Sequence, residues 1–463
     1  LMAPCITHSD SPLRGRRSAL VLHTSAALCR VTIVLLALLV GARMVRADEA
    51  APPSPQPQTQ EDLERRVRQL EEEVRQLIAP GKLADASGRS ALRRVTAAEV
   101  IDKPPLSASG RNDNLTDPGF LKSVPLFGSR YRFSFGGYAK VDLLHDFSGT
   151  GDKQQFTLGT IPVDGSPPPG SYYNLQAAET RFNFEVRDTS SCAPHNRVFF
   201  EFDFFDEVSP LSLRLRHAFF EYGNLLAGQT WTTLTELRQL PLILDFAGGD
   251  SVYGGRTPQV RWQVDVNKRL SWAVALEKFN DGAIFNAAGA TGTARSYLPK
   301  LAGRVTQEFG SSLVTVGAFV SQNRWDGTGS TPDKHTLGWG AATGGRVYLG
   351  RGSRHWIGFG ASYTDGGVQN IISFAEAGTP NAVLGPDGML RGVRAWNAQI
   401  GLQVHLTRRW SSNFSFAYAQ LDRVPLGAPD DVMRVGHASH INLIYSVTER
   451  LRVGVEYMHG FQE

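Results

Sequence analysis

The sequence predicts an all-β fold, a 16-stranded antiparallel transmembrane β-barrel preceded by an N-terminal coiled-coil helix. The chain has 463 residues, 41% hydrophobic and 20% charged, with one apolar run near its start. Together with a mean hydropathy of −0.21, this excludes a polytopic helical membrane protein. From residue 132 onward, apolar and polar residues alternate with the period of two that indicates strands. The connections between these strands alternate in length, which is typical of a membrane barrel.

Residues 1–47 are predicted to be a secretory signal peptide. Four arginines precede an apolar run at residues 31–42, and residues 45–47 fit a small-x-small cleavage pattern. A membrane anchor is the alternative, but about 12 apolar residues are too few to cross about 30 Å of hydrocarbon. The leader holds six Arg and one acid, so the formal net charge of +4 becomes −1 without it. No nucleic-acid partner is therefore expected.

Residues 48–60 form a Pro/Gln-rich spacer, and residues 61–79 are predicted to be a coiled coil in the periplasm. Its apolar residues recur at alternating spacings of four and three, as in a heptad seam: Leu63, Val67, Leu70, Val74 and Leu77. This seam is expected to make the chain a homo-oligomer, although Val/Leu seams favour dimers. A lone surface helix is the alternative, because fewer than three heptads are marginal in isolation. A linker at 80–130 leads to the barrel at 131–463.

The alternation predicts fifteen strands in the barrel. In one of them Phe182, Phe184 and Val186 share a face, and the opposite face is polar or charged. The fifteen approximate ranges are 132–147, 174–189, 197–205, 211–222, 225–230, 256–266, 270–278, 300–309, 312–323, 334–349, 355–365, 391–406, 410–422, 435–447 and 451–458.

Tight turns and long connections alternate between these strands, except that the connection at 206–210 is short where a long one is expected. The tight turns are at 223–224, 267–269, 310–311, 407–409 and 448–450, and the long connections at 148–173, 231–255, 279–299, 324–333, 366–390 and 423–434. Since the predicted coiled coil precedes the first strand, the tight turns should face the periplasm. An even strand number is expected. We therefore predict that the sequence is truncated at its C-terminus, and that the full gene product adds a loop and a sixteenth strand that pairs with the first.

The inward face of the predicted barrel carries many basic residues. Those assigned to the pore lining are Lys140, Arg181, Arg187, Arg214, Arg216, Arg256, Arg261 and Arg304. Guanidinium groups bind carboxylates through paired hydrogen bonds, so a row of them on one wall would favour organic anions. The alternative is that these arginines form salt bridges along the wall with Glu185, Glu201 and Asp203.

The connection after the fifth strand is too apolar at residues 232–246 to remain in water. If it folds into the barrel, it covers Leu240, Leu242 and Leu244 and brings three charged residues to a constriction: Arg238, Asp245 and Asp250. Glycines at 248, 249, 254 and 255 would allow the chain to double back. A lid on the outer rim is the competing placement.

Catalytic signatures are scarce. The sequence contains no P-loop, no H-E-x-x-H and no G-x-S-x-G motif. His437 and His440 are three residues apart on a strand, which places them on opposite faces and disfavours a shared metal. The alternation places His217 on the outward face, at an interface or a rim. Neither an enzymatic activity nor a metal or other cofactor is expected.

Four sequence stretches resemble DcaP-like trimeric outer-membrane porins. They are FGGYAKVD at 135–142, RHAFFEY at 216–222, AGQTW at 227–231 and RTPQVR at 256–261. The resemblance implies trimers, a periplasmic coiled coil and uptake of small anionic compounds such as aromatic or dicarboxylic acids.

The resulting interpretation is a diffusion porin of the bacterial outer membrane that passes small hydrophilic solutes, with a mild preference for organic carboxylates. Its expected partners are the lipid bilayer, further copies of itself and small anionic solutes. The alternatives are an outer-membrane enzyme or ligand receptor built on a β-barrel, and a soluble β-protein anchored by the coiled coil.

Overall fold

The computed structural model describes residues 123–126, 130–147, 152–162, 170–188, 196–205, 212–248, 252–279, 283–350, 353–429 and 432–463. They belong to one of two compact units of the chain, Val95–Glu463. The predicted signal peptide, spacer and coiled coil lie outside the described residues, as does almost all of the linker. The heptad positions Leu63, Val67, Leu70, Val74 and Leu77 lie outside them too.

Strands dominate the described residues. The strands are β1 Val124–Leu126, β2 Tyr131–Tyr138, β3 Asp142–Asp146, β4 Tyr172–Gln176, β5 Arg181–Asp188, β6 Asn196–Asp203, β7 Arg214–Tyr222, β8 Leu225–Trp231, β9 Arg256–Asp265, β10 Leu270–Glu277, β11 Ile284–Asn286, β12 Gly292–Ala294, β13 Lys300–Phe309, β14 Ser312–Gly327, β15 Lys334–Tyr348, β16 Trp356–Asp365, β17 Ala382–Leu384, β18 Leu390–Gly392, β19 Arg394–His405, β20 Trp410–Arg423, β21 Val435–Ser446 and β22 Arg452–Gln462. The helices are α1 Ile372–Glu376 and three 3-10 turns, Leu158–Thr160, Leu237–Gln239 and Val368–Asn370. None of the helices in the described part of the chain is long and apolar enough to cross a bilayer.

One sheet of seventeen strands forms the framework, and neighbouring strands in it run antiparallel. Fifteen of its strands match the fifteen predicted ones, and the other two are the three-residue strands β1 and β12. The predicted all-β antiparallel fold is therefore confirmed. β1 pairs with β2 on the edge away from β5, which is where the sixteenth strand is expected. That strand stays a prediction.

The first two predicted strands are each broken in two. The range 132–147 becomes β2 and β3, the range 174–189 becomes β4 and β5, and β3 pairs with β4 in a separate ribbon. The break follows Gly137, whose φ of 137° is one that L side chains rarely adopt. A Cβ at this position would lie 2.1 Å from the Arg181 carbonyl oxygen. Glycine at position 137 therefore lets β2 and β5 approach closely at the point where the predicted strand breaks.

The two ends of the sheet differ in their connections. At one end, here called the turn end, strands are joined by short connections such as 266–269, 310–311 and 447–451. At the other, the loop end, long connections pack together. Leu158, Ile371 and Phe374 are each 0% exposed and share a buried cluster with Met433 and the wall residue Phe319. The long connections thus cover part of the opening at the loop end of the sheet.

The two faces of the sheet have opposite character. On β9, Val260 and Trp262 are 51% and 49% exposed, whereas Gln259 and Arg261 are 5% and 3% exposed. A soluble β-sandwich would bury the apolar pair and expose the polar one. An outward apolar face suits contact with lipid, and the polar face points toward the interior.

A positive charge at mid-height on the outward face should be costly. Val316 is 57% exposed and lies midway along the part of β14 that pairs with β13. We expect Val316→Arg to lower the free energy of unfolding by about 2–4 kcal/mol, as for an arginine at the bilayer midplane. Reversible urea unfolding in lipid vesicles measures the change.

The matched control is Val347→Arg. Val347 is also outward and 45% exposed, but it lies next to the turn end of β15. Near the interface the same substitution should cost at most about 1 kcal/mol. Equal costs at the two positions would contradict the assigned lipid-facing depth.

Candidate pore constriction

The connection between β8 and β9 runs along the inward face of the sheet. The name inner segment is used here for residues 232–248; residues 252–255 of the same connection are also described. The Thr233 amide donates to Glu277 Oε1 on β10 at 2.6 Å, and Arg304 Nη1 on β13 donates to the Thr235 carbonyl at 3.0 Å. Thr233 is 0% exposed. The start of the inner segment is therefore buried against the wall.

An ion-pair group follows at the 3-10 turn Leu237–Gln239. Arg238 donates to both carboxylate oxygens of Glu236 at 2.7 Å and to Glu308 on β13 at 3.1 Å. Burial alone would raise the pKa of Glu236, but the hydrogen bonds from Arg238 lower it below its usual value. The pair therefore stays ionised at neutral pH and fixes the turn against β13.

Glycines on the wall make room for the middle of the inner segment. A Cβ at Gly358 on β16 would lie 1.8 Å from the Gln239 carbonyl oxygen, and one at Gly344 on β15 would lie 2.0 Å from Gln239 Oε1. A Cβ at Gly401 on β19 would lie 2.5 Å from Pro241. A larger residue at Gly358 or Gly401 would collide with the Gln239 backbone or the Pro241 ring, and one at Gly344 would displace the Gln239 side chain. These three glycines are called the glycine seat below.

The last strands of the sheet hold the far part of the inner segment. Asn442 Nδ2 on β21 donates to the Leu242 carbonyl at 2.8 Å. Glu456 on β22 accepts from the Leu244 amide at 2.8 Å and from the Asp245 amide at 3.0 Å. Lys140, between β2 and β3, donates to the Leu244 carbonyl. Strands from both ends of the sheet therefore meet at Leu244 and Asp245.

Phe246 extends this contact to early strands. Its ring centre lies 5.3 Å from the guanidinium carbons of Arg181 and Arg214 and 5.4 Å from that of Arg216. It also lies 4.2 Å from the Phe205 ring. Asp245 and Phe246, adjacent in sequence, thus contact β22 on one side and β5 and β7 on the other. The sheet must curve around the inner segment, which lies inside rather than as a lid on the rim.

Three of the predicted pore-lining arginines form ion pairs along the wall. Arg187 Nε is 2.5 Å from Glu185, and Arg214 binds Asp203 through two hydrogen bonds of 2.8 Å. Arg216 contacts Glu201 and Asp203, each at 2.7 Å. Lys140 also has acidic partners, Glu179 and Asp142. For these cations the geometry matches the salt-bridge alternative.

Two other predicted pore-lining cations contact the connection between β8 and β9. Arg261 is 3% exposed and donates to the Trp231 carbonyl at 2.5 Å and to Gln259 at 2.9 Å. Arg304 is partly buried and donates to the Thr235 carbonyl at 3.0 Å. Both are inward, as the alternation required, and both help to hold that connection in place. Their assignment to the pore lining stays a prediction.

Arg181 and Arg256 are less fully neutralised. The nearest carboxylate to Arg181 is Glu179 at 3.8 Å. Arg256 lies over the Trp231 ring at 5.1 Å, and its buried Nη1 has no hydrogen-bond partner among the described residues. Arg256 lies within electrostatic range of Arg181, Arg214 and Arg216, and also of Asp203. These four arginines, together with Phe246, are called the arginine cluster below.

The predicted constriction residues are not one cluster. Arg238 is held on the β13 side, whereas Asp245 is held on the β22 side and accepts a hydrogen bond from the Phe156 amide at 3.0 Å. Asp250 lies outside the described residues. Sequence reasoning missed Phe246, although an aromatic residue at the end of an apolar run was a usable signal.

His217 faces inward, and its predicted outward placement is wrong. The register between β6 and β7 shifts between Glu201 and Phe202, so a β-bulge reverses the alternation of β7. Arg216 and His217 are consequently both 2% exposed, and His217 Nδ1 lies 3.0 Å from Thr230 Oγ1. A search of the described residues finds no group of three or more His, Cys, Asp or Glu arranged to hold a metal.

Comparisons with known proteins agree with this architecture. A family model described as DcaP outer membrane protein matches residues 121–359. Among solved structures, the chain is similar to the outer membrane channel DcaP of Acinetobacter baumannii, with a TM-score of 0.61 and 20% identity over 72% of this chain and 92% of that one. At this identity the likeness shows the fold.

Weaker likenesses reach other outer membrane proteins. A loop L8 deletion mutant of Vibrio cholerae OmpT has a TM-score of 0.45 and 13% identity over 72% of this chain and 95% of that one. Salmonella typhi OmpF in complex with daunomycin has a TM-score of 0.42 and 12% identity over 71% and 89% of the two chains. The search of curated proteins found no match.

Proposed function

The chain belongs to the DcaP outer membrane protein family, and from that premise we propose that it passes small hydrophilic solutes by diffusion, with a mild preference for organic anions. An outer-membrane channel of the porin class is what the family membership and the fold support together. The inner segment narrows the interior, and the packed loops cover part of one mouth, so the proposed solutes are small. No catalytic role and no cofactor are proposed.

The observation that carries the anion preference is the arginine cluster. Two of its arginines, Arg214 and Arg216, are hydrogen-bonded to acidic side chains on β6. In the other two, the buried Arg181 Nε and Arg256 Nη1 have no hydrogen-bond partner among the described residues. Guanidinium groups bind carboxylates in a planar, paired geometry. The adjacent rings of Phe246 and Trp231 offer apolar surface for the rest of an organic acid. Small carboxylates are therefore the proposed solute class.

We also propose that the channel is a homotrimer whose protomers meet at the early strands. β8 has seven residues, and β5 and β6 have eight each, whereas a tilted strand needs about 9–11 residues to cross hydrocarbon. Outward phenylalanines lie on β5 and β6, with the Phe182 and Phe202 rings 5.7 Å apart. A second protomer would shield this short wall from lipid. A mass of one protomer by light scattering in mild detergent would refute the assembly.

Reversal potentials test the anion preference. In a tenfold KCl gradient across a planar bilayer, we expect the protein to show an anion-favouring potential. Arg256→Gln should reduce the anion-to-cation permeability ratio by roughly half, because it removes an unpaired charge from the arginine cluster. Arg450→Gln, in an exposed tight turn, is the charge-matched control and should change little. A cation-favouring potential in the unaltered protein would rule out the proposed preference.

A further inference from the structure

A second basic site lies at the turn end of the sheet. A cavity of about 500 Å³ opens between the β15–β16 and β19–β20 connections. Its lining includes Arg354, His355, His405 and Arg408, and no Asp or Glu. This cavity is called the turn-end pocket. The charged side chains that line the pocket are thus all basic, whereas two arginines of the arginine cluster are hydrogen-bonded to acidic side chains.

Hydrogen bonds organise the pocket. Arg354 Nη2 lies 3.4 Å from His405 Nδ1, the His405 amide donates to His355 Nδ1 at 3.1 Å, and Gln403 Nε2 lies 3.2 Å from His405 Nε2. Hydrogen bonds therefore fix these basic side chains of the pocket in place. The buried Nε donor of Arg354 is left without an acceptor among the described residues.

An arginine on β15, the strand that leads into the pocket's first connection, shares this property. The Nε of Arg346, on β15, is also buried without a partner among the residues described. Its guanidinium carbon lies 5.3 Å from the Tyr348 ring centre and 5.8 Å from that of Trp356. No ion pair is found for Arg346 or Arg354 in the described part of the chain. Buried guanidinium donors normally have acceptors, so two unused ones point to an anion as the missing partner.

The position of the pocket relates it to the passage. Gln403 and His405 are two residues apart on β19, so both face inward. Gln403 Oε1 accepts a hydrogen bond from the Leu242 amide of the inner segment at 3.2 Å. The pocket therefore begins one inward residue beyond the inner segment, toward the turn end. A solute that has passed the inner segment on this side meets it next.

We propose that the turn-end pocket is a second anion site, which binds a small dicarboxylate on the turn-end side of the inner segment. One carboxylate accepts hydrogen bonds from Arg354, and the other lies among the remaining basic lining residues, His355, His405 and Arg408. The inference rests on the proposed function, since it concerns an anion that uses the same passage. Among the described residues, no Asp or Glu lines the pocket to compete with a bound carboxylate.

Side-specific block of the channel by succinate tests the inference. The full chain is reconstituted in planar bilayers, and chloride current is recorded while succinate is added to one side at a time. We expect succinate to reduce the current from one side with an apparent Kd of about 1 mM, a weak-site affinity. Arg354→Gln should raise that Kd by roughly fivefold or more, and Arg346→Gln should act in the same direction.

Matched variants separate binding from general charge and from folding. Arg450→Gln removes a charge at the same end outside the pocket and should leave the block unchanged. Arg354→Lys keeps the charge but loses the planar donor geometry, so its Kd should lie between those of the unaltered protein and Arg354→Gln. Block that is unchanged in Arg354→Gln, or weakened equally in Arg450→Gln, would overturn the inference.

The same recordings distinguish this inference from the proposed function. If the unaltered protein has no anion-favouring reversal potential, the proposed function fails. If that potential is present but Arg354→Gln and Arg346→Gln leave the succinate block unchanged, only the turn-end site fails.

Discussion

Gly358→Val is expected to raise the single-channel conductance by roughly twofold or more, because it displaces the inner segment from the passage. A Cβ at Gly358 would lie 1.8 Å from the Gln239 carbonyl oxygen, a backbone atom that cannot move without its segment. Gly358 is not among the glycines with positive φ, so the strand itself accepts valine. Conductance steps in 1 M KCl, a standard recording condition, measure the effect.

The matched control is Gly303→Val on β13. Gly303 faces outward, and the nearest atom to its added Cβ is the Ala273 carbonyl oxygen at 3.8 Å, an ordinary contact. Its conductance should equal that of the unaltered protein. If Gly358→Val lowers the conductance or leaves it unchanged, the glycine seat does not position a constriction.

Lys300→Met is expected to lower the free energy of unfolding by about 3–5 kcal/mol, because it leaves a buried carboxylate without its partner. Lys300 Nζ lies 2.9 Å from Glu277 and donates to Asn370 Oδ1 at 2.8 Å, and the two ion-pair residues are 3% and 1% exposed. Glu277 also accepts from the Thr233 amide. The loss should therefore be accompanied by noisier current as the start of the inner segment loosens.

The double variant Glu277→Gln with Lys300→Met separates the charge effect from lost packing. Removing both charges should recover part of the stability lost in Lys300→Met, since no unpaired charge then stays buried. Unfolding in urea measures all four proteins of the cycle. A loss below about 1 kcal/mol in Lys300→Met would show that the pair is solvated rather than buried.

The strands could be predicted because their signal is local. Alternation along β9 or β14 depends only on which face of a strand meets lipid, and tight turns mark where strands end. Fifteen strands were found in this way, and apart from the first two, which are broken, their ends are shifted by only a few residues. The break after Gly137 was missed because the alternation was taken to continue through the adjacent glycines 136 and 137.

The interior could be predicted less well because it depends on contacts between distant residues. The inward turn of the inner segment could be predicted because the segment is too apolar to remain in water. The hydrogen bonds from Arg261 and Arg304 to that connection, and the separation of Arg238 from Asp245, depend on which strands the segment reaches. The inward turn of His217 depends on one bulge between β6 and β7. None of these pairings is visible in the alternation.

Thiol labelling of two positions on β13 tests the central claim most directly, that the sheet has a lipid-facing apolar side and a water-facing polar side. Val305 is outward and 50% exposed, and the inward Glu308 side chain is 37% exposed. Each is changed to cysteine in a full chain whose Cys5, Cys29 and Cys192 are serine, and the proteins are inserted into vesicles. A charged, water-soluble maleimide should label Glu308→Cys and spare Val305→Cys. Rapid labelling of Val305→Cys with protection of Glu308→Cys would contradict the account.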